Sequence, residues 1–136
     1  MKYFKQTLVA GFTVVAAAGT WGLRGLTADQ PAFKRTELQR QDLSAQGREA
    51  VQARGDFMPG AVVPRHTHPG EELSYVIAGE IVLEIDGKPP QTLKAGEVFF
   101  VPAGTIHSAK NASKSEARVL STYVVEKGKP LATPVK

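Results

Sequence analysis

The chain contains no cysteine among its 136 residues. This absence excludes disulfide bonds, thiolate metal ligands and cysteine nucleophiles together. Histidine is also scarce, with three residues in the whole chain. After the first 28 residues no stretch shows a convincing helical period, and the chain has no repeats or low-complexity tracts. Metal or acid–base chemistry therefore depends on a few histidines and carboxylates in a chain that reads as β.

Acidic residues are missing from the first 28 positions, which hold Lys2, Lys5 and Arg24. Of the 17 basic residues, 14 remain after this segment and face 13 acidic ones, so the formal charge of +4 falls to about +1. This small charge removes the main electrostatic argument for nucleic-acid binding, and we expect no nucleic-acid partner. The length and the hydrophobic content of 42% fit one globular domain with a single core.

The first 28 residues have the order of a secretory signal peptide followed by a linker. Two lysines precede an uncharged, mostly apolar run of thirteen residues at 7–19, and the small residues 16–18 offer cleavage after Ala18. The run is shorter than the roughly twenty residues of a membrane span. We therefore predict export to the periplasm or beyond, with a membrane anchor at 7–23 as the alternative. In both cases residues 29–136 form the folded domain outside the cytoplasm.

The rest of the chain reads as short β-strands separated by glycine and proline. We predict strands at 33–47 (short and exposed), 49–57, 61–67, 73–78, 80–85, 91–93, 97–101, 106–109 and 118–125. Pro64 is tolerable only at an edge or a bulge, and Asp86-Gly87 indicates a two-residue type I′ turn with positive φ at both positions. The tail from Glu126 has little to bury, so we expect it to be mobile. These strands predict an all-β sandwich or barrel, with a jelly roll prominent among the options.

Two of the histidines, His66 and His68, are one residue apart, so on a strand both imidazoles project from the same face. The carboxylates of Glu71 and Glu72 follow closely, and His107 comes after a Pro-x-Gly turn. By themselves, a His-x-His pair is often a surface coincidence and two adjacent glutamates are usually solvated. If the side chains meet, three imidazoles and a carboxylate suit a divalent transition metal, namely Fe, Mn, Ni, Zn or Cu. Coordination positions would remain for water, oxygen or a substrate.

The spacing of these residues resembles the two motifs of the cupin superfamily. The first is Gly, five residues, His-x-His, three or four residues, Glu, six residues and Gly; the second is Gly, five residues, Pro-x-Gly, two residues, His, three residues and Asn. The chain matches all ten positions, at Gly60, His66, His68, Glu72, Gly79, Gly96, Pro102, Gly104, His107 and Asn111. The sixteen residues between the motifs fit one hairpin. The chain thus looks like a small single-domain cupin of the quercetinase-like type.

The resemblance implies a double-stranded β-helix (jelly-roll) barrel with a metal bound by four residues. These are His66, His68, Glu72 and His107. The motif selects Glu72 over Glu71, and it makes Asn111 a structural residue. The motif glycines read as turn residues with positive φ. By the same resemblance we expect a homodimer, for which the exposed opening strand could serve.

Strand alternation indicates what surrounds the ligands. It turns Glu72, Ser74 and Val76 into the barrel together with His107 and Ala109, and it turns Leu73, Tyr75 and Ile77 outward. Aromatic core and pocket walls are expected from Phe57, Phe99 and Phe100. Arg54 and Arg65 are interpreted as solvated or salt-bridged surface residues, with orientation of an anionic substrate as the alternative.

The function most consistent with intact ligands is a metal-dependent enzyme acting on a small organic molecule. A dioxygenase-like reaction and a Lewis-acid isomerisation, decarboxylation or hydrolysis are both open. No further histidine is available as an acid or base. A barrel that binds a small ligand or a metal without turnover is therefore the alternative, and the fold cannot decide between them.

Overall fold

A computed structural model describes residues 32–136, and the predicted signal segment lies outside the described residues. The described part is all β and contains no helix, so it has none that could span a membrane. It has ten strands: β1 (Phe33–Asp42), β2 (Arg48–Phe57), β3 (Val62–Thr67), β4 (Gly70–Ala78), β5 (Glu80–Ile85), β6 (Gln91–Lys94), β7 (Val98–Val101), β8 (His107–Lys110), β9 (Ala117–Glu126) and β10 (Thr133–Pro134). The expected all-β architecture is confirmed.

The strands form two antiparallel sheets of five strands each. The first sheet has the order β1-β2-β9-β4-β7, and the second has the order β10-β3-β8-β5-β6. Chain neighbours such as β3 and β4 lie in different sheets, which is the crossing pattern of a jelly roll. As a result, the two motif segments of the sequence meet between the sheets.

The burial of β4 follows its alternating sequence. Glu72, Ser74 and Val76 are buried, while Leu73 and Tyr75 are about half exposed. Strand β9 alternates in the same way along its ten residues. The predicted inward and outward faces of β4 are therefore confirmed, because period-2 alternation places every second side chain on the same face.

The apolar core is divided into two clusters. The larger contains Phe57, Ala61, Val76, Ile81, Leu83, Ile85, Leu93, Val101, Ala117 and Val119, and the smaller contains Val51, Ala53, Tyr123 and Val125. Burial of each large aliphatic side chain contributes about 1.5–3 kcal/mol. Along β9 the buried hydroxyl residue Ser121 separates Val119 of one cluster from Tyr123 of the other. A polar layer thus interrupts the core at this level.

Pro64 occupies the bulge that the sequence predicts. The pairing of β3 with β8 shifts register between Val63 and His66, and it resumes with His66 opposite His107. Because proline has no N–H to donate to a neighbouring strand, a bulge is where a paired strand tolerates it. The bulge therefore precedes the residue pair that brings two of the histidines together.

The hairpin between β5 and β6 exists, but its predicted turn type is wrong. Gly87 has φ of 76°, whereas no non-glycine residue described has positive φ, so Asp86 does not adopt the conformation that a type I′ turn needs. A turn does form with Asp86 and Gly87 at its centre, since the Lys88 amide donates to the Ile85 carbonyl at 3.0 Å, but the strand pairing stops at Leu83 and Gln91. Pro89 and Pro90 explain this, since neither can donate a ladder hydrogen bond.

The tail was expected to be mobile, and this prediction is wrong. Strand β10 pairs with β3, with Thr133 opposite Thr67. The Val135 amide donates to the Arg65 carbonyl at 3.0 Å, and Leu131 packs against the smaller core cluster. The tail has too few apolar residues for a recognisable strand pattern. It is ordered by its pairing with β3, which is distant in sequence.

The first sheet exposes an apolar outer face near one edge. Leu73 lies opposite Phe100, and Tyr75 lies opposite Val98, with all four side chains substantially exposed. At the other edge β1 pairs only with β2. Both surfaces are available for the expected homodimer, which remains a prediction.

Gly79 illustrates why a motif glycine is required. It has φ of 70°, and a Cβ built there would lie 2.3 Å from the Glu116 carbonyl oxygen. The other motif glycines, Gly60, Gly96 and Gly104, also have positive φ, as predicted.

Replacing Gly79 with alanine should therefore destabilise the fold more than the same change at Gly47. Gly47 has φ of 72°, but an added methyl group would meet nothing within 4 Å, so Gly47→Ala isolates the backbone cost of roughly 1–2 kcal/mol. Gly79→Ala adds a steric overlap with backbone and should lower the urea midpoint further. Equal midpoints for the two variants would contradict the role given to this close approach.

Candidate metal centre

The structure brings all four predicted ligand residues to one place between the sheets. His66 lies near the end of β3 and His68 just after it, while Glu72 is on β4 and His107 begins β8. The opposition of His66 and His107 across the two strands places their rings 4.2 Å apart. His68, Glu72 and His107 are buried, whereas His66 remains partly accessible. The sequence spacing thus becomes a single cluster.

The facing atoms of this cluster are the Nε2 nitrogens and one carboxylate oxygen. His66 Nε2 lies 3.2 Å from His68 Nε2. Glu72 Oε2 lies 3.2 Å from His68 Nε2 and 3.3 Å from His107 Nε2. Two nitrogen ligands at about 2.1 Å from one metal ion and at right angles would be about 3 Å apart. The observed separations fit that spacing.

Backbone carbonyls fix the orientation of every imidazole. The Nδ1 atom of His66 lies 2.8 Å from the Pro64 carbonyl, that of His107 lies 2.9 Å from the Thr105 carbonyl, and that of His68 lies 2.5 Å from the carbonyl of Leu131. A carbonyl oxygen only accepts, so Nδ1 donates in each case. In the neutral rings the lone pairs of all three Nε2 atoms are then directed at each other.

The carboxylate of Glu72 is oriented from its other oxygen. The hydroxyls of Ser74 and Ser121 lie 2.7 and 3.0 Å from Oε1 and donate to it, which leaves Oε2 for the histidines. Burial disfavours the charged form, but hydrogen bonds from His107, His68 and Ser74 lower the pKa of Glu72 far below its usual range. The residue is therefore a carboxylate at neutral pH.

The histidine cluster fits a cation. Burial lowers the pKa of His66, so its ring favours the neutral form. For His107, burial also disfavours the charge, but the hydrogen bond with Glu72 outweighs it and raises the pKa. When the His66 and His68 rings are neutral, with both Nδ1 protons donated to carbonyls, their two Nε2 lone pairs face each other without a donor. A bound divalent ion satisfies both, and imidazole with carboxylate is a donor set for borderline transition metals.

Glu71 and the motif residue Asn111 both have the positions that the sequence indicates. Glu71 lies on the face of β4 opposite to Glu72, outside the cluster. Asn111 is buried, and its Nδ2 donates to the carbonyls of Phe57 and Ser115 at 3.1 and 2.7 Å. Its Oδ1 accepts from Ser113. Asn111 therefore holds the loop after β8 and does not face the histidines.

A cavity of about 260 Å³ opens next to the cluster, between the sheets. His66, Glu72 and His107 contribute to its wall, together with mostly apolar side chains. The lining also includes Phe33, Ala53, Phe57, Val63, Ile81, Leu83, Phe99, Ala109 and Val119. Its size, just under the about 300 Å³ that marks the small end of ligand pockets, suits a molecule of modest size.

The expected aromatic walls are present at two of three positions. Phe57 and Phe99 line the cavity, but Phe100 is 52% exposed on the outer face, so that prediction is wrong. Strand β7 alternates, with Phe99 opposite Ser74 and Phe100 opposite Leu73. Only one of two adjacent strand residues can face inward.

Both arginines singled out in the sequence form salt bridges. Arg54 lies 3.0 Å from Asp56, and Arg65 lies 2.7 Å from Asp86, although Arg65 also borders the cavity. These contacts confirm the salt-bridged interpretation for both residues.

Several residues of the site were missed in the sequence. Tyr123 lines the cavity with its ring centroid 4.7 Å from that of His68, and burial together with the charge of Glu72 raises its pKa. Its alternation with Ser121 on β9 was a signal that could have indicated both residues. No sequence signal indicates that the Leu131 carbonyl supports His68. Arg35, on the opening strand, also lines the cavity.

The comparisons with known proteins agree with the fold described above. A family model described as "Cupin domain" matches residues 53–123, and the chain belongs to this family. Germin-like protein subfamily 2 member 2 of Arabidopsis thaliana is 42% identical over 76 residues, which are 52% of this chain and 35% of the relative. Oxalate oxidase 2 of Hordeum vulgare is 33% identical over 78 residues, with 52% and 35% covered. The chain thus spans about a third of these relatives.

A solved structure of an oxalate oxidase in complex with the substrate analogue glycolate is also similar. It superposes with a TM-score of 0.63 and 27% identity, and the match covers 82% of this chain and 59% of that chain. The barrel fold is therefore shared with that protein.

Glu72→Gln should weaken divalent metal binding at least tenfold, because it removes the anionic oxygen facing His68 and His107. Metal content after purification and a competitive titration of the full chain would measure this. Glu71→Gln is the matched control, since its side chain lies on the other face of β4. Equal losses in the two variants would rule out a specific role for Glu72.

Removing residues 130–136 should also weaken metal binding, by about 10–100-fold, because it deletes the Leu131 carbonyl that orients His68. Removing only residues 133–136 deletes β10 but keeps Leu131 and is the control. The same metal titration compares the two truncations. If both bind metal like the full chain, the carbonyl contact is not needed.

Proposed function

We propose that the chain is an exported, metal-dependent cupin enzyme that acts on a small organic molecule. His66, His68, Glu72 and His107 would bind the metal, which would be a divalent ion of Fe, Mn, Ni, Zn or Cu. The observation that carries the proposal is the convergence of three oriented Nε2 atoms and one carboxylate oxygen beside a cavity. A complete set of metal-binding residues beside a cavity for a small molecule is the arrangement of a working metal site.

A metal ion bound there would supply Lewis acidity to enolate or carboxylate oxygens of a substrate. The residues of the chain have separate roles. Phe33, Phe57 and Phe99 would hold the apolar part of the substrate and exclude water. Tyr123 would donate a hydrogen bond, since its raised pKa keeps the phenol protonated. Ser74 and Ser121 would keep the Glu72 carboxylate in place.

The reaction class is proposed from similarity and from the donor set. Relatives include proteins named oxalate oxidase, and one such structure contains glycolate in place of substrate. This supports a small oxygen-bearing substrate and a dioxygenase-like or other oxidative reaction. A redox-inert ion would serve isomerisation or decarboxylation through the same residues.

The alternative is a barrel that binds a small ligand or a metal without turnover. One feature of the cavity lining favours this alternative. Apart from the cluster residues and the two arginines, the titratable side chain in the lining is that of Tyr123. A phenol with a raised pKa is a poor base at neutral pH. The alternative therefore predicts ligand binding without consumption.

Export, the domain limits and the partners belong to the same proposal. Residues 1–28 would direct export to the periplasm or beyond, with 7–23 as an anchor if cleavage fails, and residues 29–136 would form the cupin domain. The expected partners are a small-molecule substrate and a second copy of the chain. Their support is the order of charged, apolar and small residues in the leader and the exposed edge at β1.

The test begins with the full chain expressed with its leader and recovered from each cell fraction. Metals are identified by mass spectrometry, and oxygen uptake and product formation are followed with flavonols, catechols, diketones and oxalate. We expect one transition metal per chain and turnover that a chelator abolishes and that metal restores. His66→Ala is expected to lose both metal and activity.

Two results would count against the proposal. A chain that retains no metal under any loading condition, and whose His66→Ala variant melts like the parent, would refute the metal site. A metal-loaded chain that binds one of these compounds but never converts it would favour the binding alternative.

A further inference from the structure

The cavity beside the metal centre has one arginine that forms no salt bridge within the described residues. Arg35 lines this cavity and forms no salt bridge with a carboxylate in the part of the chain that the structure describes. Arg65, the other arginine in the lining, is paired with Asp86 at 2.7 Å. The nearby Glu37 is engaged by Arg40 through both carboxylate oxygens. Arg35 is exposed and lines the cavity, so its guanidinium can contact a ligand that enters there.

The register of β1 and β2 directs Arg35 to the cavity side. Phe33 is opposite Phe57, and Arg35 is opposite Gly55, so the two β1 residues share the inward face. Gly55 has no side chain, and a Cβ there would lie 3.1 Å from the Phe57 ring and 3.2 Å from the Phe33 ring. Gly55, the partner of Arg35 in the register, therefore lies against an aromatic pair whose ring centroids are 4.7 Å apart.

The charge of Arg35 acts on the same space as the metal-site residues. Arg35 and Tyr123 line the same cavity, together with His66, Glu72 and His107. The Tyr123 ring in turn contacts His68, with 4.7 Å between the two ring centroids. Any anion in the cavity would experience this charge as well as that of a bound metal ion.

From this arrangement we infer that Arg35 selects the substrate by binding its carboxylate. The ligand class is a small carboxylic acid with an apolar, ring-sized body that carries oxygen donors at the end remote from the carboxylate. The body lies against Phe33, Phe57 and Phe99, and the oxygen donors face the metal centre. This inference rests on the proposed function, which it narrows from a small organic molecule to an apolar acid. Arg35 is a specificity-determining residue, and the hydrogen bonds and ion pairs of the four ligand residues do not involve it.

The apolar walls explain why the ligand needs more than a charged group. An acid of only two or three carbons would leave Phe57, Phe99 and the aliphatic lining without a partner. A ring fills such a space with favourable apolar contact, and guanidinium binds carboxylate in a planar, two-point geometry. Both features come from the described residues, and together they define a chemical class.

The test compares two probes that differ in charge but hardly in size, namely 3,4-dihydroxybenzoate and 3,4-dihydroxybenzamide. Each is titrated calorimetrically, without oxygen, into the metal-loaded full chain. We expect the ratio of the acid's affinity to the amide's affinity to be about tenfold higher in the wild type than in Arg35→Gln. Because both probes carry the same ring diol, the change in the acid-to-amide ratio reports the carboxylate contact.

Two further variants separate recognition from general effects. Arg35→Lys retains the charge without the planar fork and should keep part of the preference. Arg48→Gln is the matched control, since Arg48 lies outside the cavity lining and should leave the ratio unchanged. Thermal melting of each variant checks its fold, and binding of the amide checks that the cavity remains intact.

The outcomes distinguish this inference from the proposed function. The inference would be overturned if the ratio of acid affinity to amide affinity were equal in the wild type and Arg35→Gln. It would also be overturned if neither probe bound the metal-loaded chain. A chain that takes up no metal but still prefers the acid through Arg35 would overturn the proposed function and support the inference.

Discussion

Three imidazole nitrogens and a carboxylate oxygen that face one another inside an apolar barrel are the constraint on which the structure depends. Their mutual separations are 3.2–3.3 Å where they are closest. Buried polar groups are tolerated only when each one has a partner. The fold supplies partners on the outside of the cluster through backbone carbonyls and serine hydroxyls, and it leaves the inside to a cation.

This constraint explains the layout of the core. The polar layer formed by Glu72, Ser74 and Ser121 separates the two apolar clusters, and it crosses the two neighbouring strands β4 and β9 at the same level. Ser74 lies directly opposite Ser121 in the register of these strands. A pair of small hydroxyls there serves two purposes, since it satisfies Glu72 and leaves volume for the cavity. Larger apolar residues at these positions would strengthen the core, but they would remove both the hydrogen bonds to Glu72 and the volume of the cavity.

Local patterns predicted much of the fold and the candidate site. Period-2 alternation predicted the faces of β4 because this strand has one buried side. Motif spacing brought His66 and His107 together correctly, since antiparallel pairing after the Pro64 bulge sets them opposite each other. The positive φ of Gly79 was predictable because its motif position indicates a turn glycine, but its close approach to the Glu116 backbone was not.

Features that depend on distant pairing could not be predicted in this way. The carbonyl of Leu131 reaches His68 across 63 positions of sequence, and a carbonyl has no residue-specific pattern. Arg35 was not recognised because an arginine on an exposed strand looks solvated until the register with Gly55 is known. Phe100 was misassigned since two adjacent phenylalanines do not indicate which of them faces inward.

The location of the cavity has a consequence for how a ligand would enter. Phe33 and Arg35 belong to β1, an edge strand of the first sheet, and Pro134 belongs to β10, an edge strand of the second. Edge strands are held by hydrogen bonds on one side only, so they separate from a sheet at lower cost than central strands. β10 has two residues and β3 is interrupted at Pro64, so pairing is weakest next to His66. The most accessible histidine, the cavity arginine on β1 and the shortest of the described strands therefore lie around the same opening, whereas Glu72 and His107 are held by central strands. The entrance is therefore built from edge strands and His66, whereas the buried ligands Glu72 and His107 lie on strands that are paired on both sides.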